Sequence, residues 1–118
     1  MKKETIRNHI VNNVLRHLGE GQDIDDVKRE LFAKIHKFVR MISSDPEINV
    51  YELLTYDPDT ISPERTRCQV IYINECNRFI NELSWIDKNK DKFPKLSSYK
   101  LFKLILLKEK LSIDKKLF

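Results

Sequence analysis

Histidine and cysteine are the side chains best suited to bind a metal or attack a substrate near neutral pH. The chain has three histidines, at positions 9, 17 and 36. His9 and His17 lie eight residues apart and have no cysteine or carboxylate at the spacing that zinc sites use. His36 falls on the polar side of its predicted helix. The histidines therefore predict no metal site.

The two cysteines, Cys68 and Cys76, fall within one predicted helix. Eight residues of helix separate their Cα atoms by about 12 Å, whereas a disulfide needs these atoms within about 7 Å. Both lie on the apolar stripe of that helix, which predicts small buried side chains without a reactive role. Free thiols are typical of a reducing compartment. The basic opening "MKKE" is not followed by the apolar core of a signal peptide. Together these two features predict a cytoplasmic protein.

The segment "YDPDTISPE" alternates acidic residues, Asp57, Asp59 and Glu64, that could bind a hard cation. A calcium loop needs more oxygen ligands and a central glycine, so turn and capping roles explain these residues better. The sequence also lacks a glycine-rich phosphate loop and a nucleophile elbow. A Cys/His pair assembled by the fold remains open, but the leading prediction is a non-enzymatic protein with no catalytic residue, no cofactor and no metal.

The sequence predicts a helical protein, so any functional surface must be formed by helices. Only two glycines and four prolines occur in 118 residues, which disfavours a turn-rich β fold. Apolar residues recur every three or four positions, most clearly between Ile24 and Ile42. The pattern predicts a single-domain, all-α bundle of four to five helices over residues 1–118. The predicted boundaries are a stop at Gly19, starts at Asp23, Asp45–Pro46, Ser62–Pro63 and Ser97 or Ser98, and ends near Ile42, Asp87 and Leu111.

The last predicted helix lies in "KLFKLILLKEKLSIDKKLF". Its apolar residues cover roughly 280° of a helical wheel, and Lys103 and Lys110 form the only continuous polar strip. Such a helix must be covered on two sides. Either it lies at the centre of the bundle, or its second face meets another chain. A membrane helix is disfavoured, because spanning needs around 20 apolar residues and Lys103 interrupts the run.

The long fourth predicted helix carries a second group of apolar residues away from its main stripe. Val70, Ile71 and Trp85 share the opposite arc with Arg78. Tryptophan and arginine are enriched at binding hot spots, although another helix or loop could instead cover this arc. The predicted partner-binding residues are Val70, Ile71, Arg78, Trp85, Leu107 and Phe118.

Residues 88–118 hold ten lysines and three acidic residues in a chain of net charge +4. A basic segment can meet phosphates, but it contains no arginine to read base edges, and lysines commonly border an apolar helix. Nucleic-acid association is therefore the alternative function. It would use Lys88, Lys90, Lys92, Lys95, Lys103 and Lys110.

The leading prediction is a protein–protein interaction protein that docks on another protein or on its own copy, with a homodimer plausible. The single alanine and the abundance of Lys, Ile and Asn resemble AT-rich coding sequences. This bias favours a phage, viral or mobile-element regulator, or an inhibitor of a host factor.

Overall fold

The computed structural model describes residues 3–44, 58 and 64–116, with the side chains of 111–116 left aside. Within these residues the chain forms four α-helices and one short 3₁₀ turn and has no β-strand. The helices are α1 (Lys3–Gly19), α2 (Ile24–Ile42), α3 (Glu64–Asn89) and α4 (Ser98–Lys116), and the 3₁₀ turn is Lys90–Lys92. The predicted all-α bundle is confirmed.

The observed helices follow the predicted boundaries closely. α3, the predicted fourth helix, extends to Asn89 rather than Asp87, and α4 extends to Lys116 rather than Leu111. The predicted short third helix and the start signals Asp45–Pro46 and Ser62–Pro63 lie outside the described residues.

The turn between α1 and α2 depends on a glycine, but not on the one expected. Gly19 is the last helical residue, whereas Gly21 has the positive φ of 86° that closes the helix. The Gln22 N–H donates to the His17 carbonyl and the Gly21 N–H donates to the Leu18 carbonyl, both at 3.1 Å. This pair of bonds is the Schellman motif, which satisfies the last carbonyls of a helix and favours glycine at the left-handed position.

Two helix starts match the capping residues that the sequence predicts. Asp23 precedes α2 in an extended conformation, and its backbone carbonyl accepts from the N–H groups of Asp26 and Val27. Ser97 precedes α4, and its Oγ accepts from the Lys100 N–H at 3.2 Å. Both positions are N-caps, although only the serine caps through its side chain.

Helix α3 lies at the centre of the bundle and packs against α1, α2 and α4. Helices α3 and α4 run antiparallel, since Arg78, eleven residues before the end of α3, meets Glu109, eleven residues after the start of α4. Helix α1 also runs antiparallel to α4. Arg7 near the start of α1 meets Glu75 in α3, while Gly19 at the end of α1 lies against Tyr99 at the start of α4. The core includes an edge-to-face contact between Phe79 of α3 and Phe102 of α4 at 5.9 Å. The central position therefore belongs to α3 and not to the last helix.

None of the helices in the described part of the chain combines the length and the apolar character that crossing a bilayer requires.

Candidate docking surface

Helix α4 has one covered and one uncovered apolar side. Leu101 and Phe102 are buried, and Ile105 and Leu106 pack against the main core. Leu104 and Leu107 remain 50% and 52% exposed. The sequence predicted that two sides of this helix need cover, and the described part of the chain supplies only one.

The uncovered side borders a groove of about 610 Å³. Leu15 of α1 forms one wall, Leu96 closes the end next to the α3–α4 connection, and α4 supplies the rest. We call this feature the α4 groove. Its lining residues are Leu15, Leu96, Lys100, Lys103, Leu104, Leu106, Leu107 and Lys110.

The charged side chains around the α4 groove are positive. Lys100, Lys103 and Lys110 are all exposed, and the Lys103 ammonium lies 5.2 Å from the centre of the Tyr99 ring. Between residues 98 and 110 the sequence holds a single acid, Glu109. Its carboxylate points into the bundle, where it accepts a hydrogen bond from Arg78 at 2.6 Å. The groove is therefore an apolar trough with a cationic border.

A cluster of charged residues joins α1, α3 and α4. Arg7 donates twice to the buried Glu75 carboxylate, at 3.0 and 3.2 Å. Arg78 meets Glu109 and also lies 3.6 Å from Glu82 and 3.8 Å from Glu75. We call these five residues the Arg78 cluster. Three carboxyl groups share two guanidinium groups, so one negative charge lacks a matching cation within the cluster.

Protonation of Glu82 relieves that excess. Burial, followed by a hydrogen bond to Glu109, raises the pKa of Glu82 to about 8. Burial would also raise the pKa of Glu109, but hydrogen bonds from Glu82 and Arg78 outweigh it and hold that pKa below its ordinary value. The Oε2 atom of Glu82 is buried without a hydrogen-bond partner in the described structure.

The predicted surface on α3 is wrong for two of its residues. Val70 and Ile71 are buried. Val70 packs with Ile42 and Ile73 in a small cluster under the end of α2, and Ile71 belongs to the main core. Both sides of a central helix are covered, so apolar residues outside its main stripe also point into the protein.

The other predicted partner residues do not form one surface. Trp85 is 48% exposed, whereas the guanidinium of Arg78 is half-buried and engaged by carboxylates of its own chain. Leu107 lies in the α4 groove. Phe118 lies outside the described residues. Leu107 is therefore the predicted partner residue that the described structure places among other apolar residues of a groove.

The six lysines predicted to contact nucleic acid are exposed, but they lie in two separate parts of the surface. Lys103 and Lys110 border the α4 groove. Lys88, Lys92 and Lys95 lie at or beyond the end of α3, and Lys90 forms a 3.2 Å ion pair with Asp87. Lys90 also lines a hollow that contains three aspartates, Asp23, Asp25 and Asp87. Nearby carboxylates weaken the attraction of this end of the bundle for phosphates.

The sequence placed only Lys103, Leu107 and Lys110 of the groove residues among the candidate site residues, and it predicted none of the ion pairs between helices. Leu15 belongs to the apolar stripe of α1, and no local pattern brings it to α4. Leu96 stands just before α4, in a connection that shows no apolar periodicity. The Arg7–Glu75 pair joins residues 68 positions apart, and the Arg78–Glu109 pair joins residues 31 positions apart. The Nε2 atom of His17 lies 3.0 Å from a carboxylate oxygen of Glu30 in α2. Such partners emerge only once the helices are packed.

The histidines and cysteines occupy structural or surface positions. His9 and His36 are exposed, Cys68 packs against the core, and Cys76 is fully buried. Burial raises the pKa of the Cys76 thiol to about 11, which keeps it protonated. Within the described ranges, no three His, Cys, Asp or Glu residues come together in a group that could hold a metal ion.

Comparison of the chain with protein-family models, curated proteins and solved structures finds no match in any of the three. Its function is therefore inferred from its own residues.

Proposed function

We propose that this chain is a non-enzymatic interaction protein that binds another polypeptide through the α4 groove. The observation that carries the proposal is the half-exposed pair Leu104 and Leu107 beside an apolar trough. Fully burying an exposed leucine side chain contributes roughly 1.5–3 kcal/mol, and covering the exposed half of Leu104 or Leu107 contributes about half of that. A partner that covers both residues would therefore gain a useful part of the free energy of a specific complex.

The charged residues support a structural rather than a catalytic role for the interior. Arg7 and Arg78 both hold carboxylates of their own chain, so the Arg78 cluster ties helices together. The amino-acid bias of the sequence favours a regulator or inhibitor of phage, viral or mobile-element origin that acts by occupying its target.

Site-specific photo-crosslinking in cells that produce the protein tests this proposal. A photoreactive residue at position 107 is expected to crosslink to a polypeptide. The same residue at Lys37, which is exposed on α2, should not give that product. Leu104→Asp should abolish the crosslink from position 107. Crosslinks that are equal at 37 and 107, or none at 107, would contradict a docking role for the groove.

Nucleic-acid binding is a second candidate, favoured by the exposure of Lys88, Lys92 and Lys95. Phosphate contacts release counterions, so such binding should weaken steeply as salt rises. Electrophoretic retardation of duplex and single-stranded probes at low salt measures it. Lys92→Glu with Lys95→Glu should reduce retardation, whereas Leu107→Asp should not. No retardation at low salt would remove this candidate.

A further inference from the structure

We infer that the α4 groove binds an amphipathic helix of another protein whose apolar face is bordered by acidic side chains. This inference rests on the proposed function and names the chemistry of the partner.

The shape of the groove suits a helix. Lys100, Lys103, Leu104, Leu107 and Lys110 line it at successive steps of three, one, three and three residues along α4. These positions span about 15 Å, or nearly three helical turns. Rows at such spacings form the ridges and grooves into which the side chains of a second helix pack. A partner helix of about three to four turns would cover the trough from Leu96 to Lys110.

A β-strand partner is disfavoured by the backbone of α4. An added strand gains affinity by hydrogen-bonding to the unpaired N–H and C=O groups of a sheet edge. The groove is lined by side chains of two helices and one connection, and the N–H and C=O groups within α4 already bond to each other. A bound strand would leave its own backbone groups unpaired on one side. A helix satisfies its backbone internally and needs only side-chain contacts.

The lysines around the groove indicate which charges the partner helix should carry beside its apolar face. Lys100, Lys103 and Lys110 border the groove, and the acid nearest to them in sequence, Glu109, is held by Arg78. Acidic residues beside the apolar face of a partner helix would face these ammonium groups. Complementary charge of this kind speeds encounter and rejects partners with basic flanks.

A second copy of the chain fits this face poorly. A two-fold symmetric dimer places the same patch on both sides of the interface. Two α4 helices would then bring Lys100, Lys103 and Lys110 of one protomer against the same lysines of its partner. Like charges facing each other are destabilising, so charge favours a different protein as occupant.

A lipid surface and a nucleic acid each match only part of the groove. An anionic bilayer would attract the lysines, but a helix that lies on a membrane surface carries a broad polar face, whereas the polar strip of α4 is narrow. A phosphate backbone would meet the lysines and leave Leu104 and Leu107 uncovered. An acidic amphipathic helix satisfies the leucines and the lysines together.

Selection from a displayed library of helical peptides tests the inference with the full chain as bait. Each peptide has about 16 residues, with leucines fixed on one face and the bordering positions randomised. We expect Asp and Glu to exceed Lys and Arg at the borders by about tenfold after selection. Leu107→Asp bait should lose the enrichment. Phe32→Asp bait should retain it, because Phe32 is similarly exposed but lies on α2.

Charge reversal supplies the sharpest readout. Lys103→Glu combined with Lys110→Glu should shift the selected borders from acidic to basic residues. The inference would be overturned if the selected peptides show no charge preference at their border positions, or if the charge reversal leaves that preference unchanged. Tighter binding to anionic vesicles or duplex DNA than to the best selected peptide would also overturn it. So would self-association of the wild-type chain in sedimentation that Leu107→Asp abolishes.

The two proposals fail in different ways. A Leu104-dependent crosslink from position 107 to a protein, together with no acidic enrichment in the library, keeps the proposed function and removes the acidic helix. Absence of the position-specific crosslink removes docking at the groove itself.

Discussion

Helices α3 and α4 both carry apolar side chains around much of their circumference, yet the bundle covers them unequally. α3 contacts all three other helices, whereas α4 contacts α1 and α3. Val70 and Ile71, which lie outside the main stripe of α3, are buried, while Leu104 and Leu107 of α4 are half-exposed. The breadth of an apolar pattern therefore shows how much cover a helix needs. Its place among the other helices decides whether its own chain supplies that cover.

The comparison separates the residues that hold the fold from those available for binding. The buried side chains of α3 contribute to folding because unfolding exposes them to water. Leu104 and Leu107 are half-exposed in the folded chain, so much of their apolar surface contributes little to folding. The same residue type therefore has different consequences on the two helices.

The largest expected effect is at the core of α3. Phe79→Ala should lower the free energy of unfolding by about 3–5 kcal/mol, because the ring is fully buried and its loss leaves a cavity. The matched truncation on α4, Leu107→Ala, should cost less than about 1 kcal/mol, since half of that side chain already meets water. Urea unfolding measures both values. Similar losses from the two variants would break the comparison.

An intermediate effect is expected where α3 meets α4, at Glu82 and Glu109. The pKa of Glu82 is raised to about 8 in the folded chain, so the folded state binds this proton more tightly than the unfolded state. The stabilisation is complete below about pH 4.5 and is lost as the pH rises through 8. The other members of the Arg78 cluster, Arg78, Glu75 and Arg7, lie nearby. The lowered pKa of Glu109 acts oppositely, with stability lost as the pH falls below its ordinary value.

Glu82→Gln isolates the contribution of Glu82. The amide keeps a donor toward Glu109 and does not titrate, so the variant should lose less stability than the wild type between pH 5 and 9. The expected difference across this range is on the order of 1–2 kcal/mol once solvent screening is included. Urea unfolding at several pH values measures it. Parallel pH profiles for the two proteins would show that Glu82 is not protonated in the fold.

The smallest effect is expected at Trp85, the exposed exception on α3. Trp85→Ala should change the free energy of unfolding by less than about 1 kcal/mol, close to the effect of Leu107→Ala, because half of the indole meets solvent. Acrylamide quenching of the single tryptophan should show a partly accessible ring. A large loss of stability, or a ring shielded from the quencher, would contradict the comparison. Exposure would then not distinguish residues that hold the fold from residues that are available for binding.

The sequence predicted the helices well because local signals define them. The apolar spacing of α2 and the caps at Asp23 and Ser97 act within a few residues. Helix α1 ends at Gly19 as predicted, although Gly21 takes the left-handed position of the Schellman motif. The prediction was wrong where distant parts of the chain decide, as at Val70 and Ile71, which the packed helices cover.

The candidate site was only partly predictable for the same reason. A helical wheel shows that α4 carries more apolar surface than one neighbouring layer can cover, and Leu107 was predicted to bind a partner because it lies on that surface. Leu15 could not be added, because the antiparallel packing of α1 against α4 brings it there. Val70 was misplaced because a wheel shows directions around one helix and not the neighbours that occupy them.

The carboxyl pair of Glu82 and Glu109 has a calorimetric consequence. Near pH 7 the unfolded chain leaves both groups ionised, whereas the native chain retains a hydrogen ion on Glu82. Melting therefore releases about one hydrogen ion to the surrounding buffer. The heat absorbed at the transition will differ between phosphate and Tris, whose ionisation enthalpies are unequal, and the slope of that dependence counts the ions released.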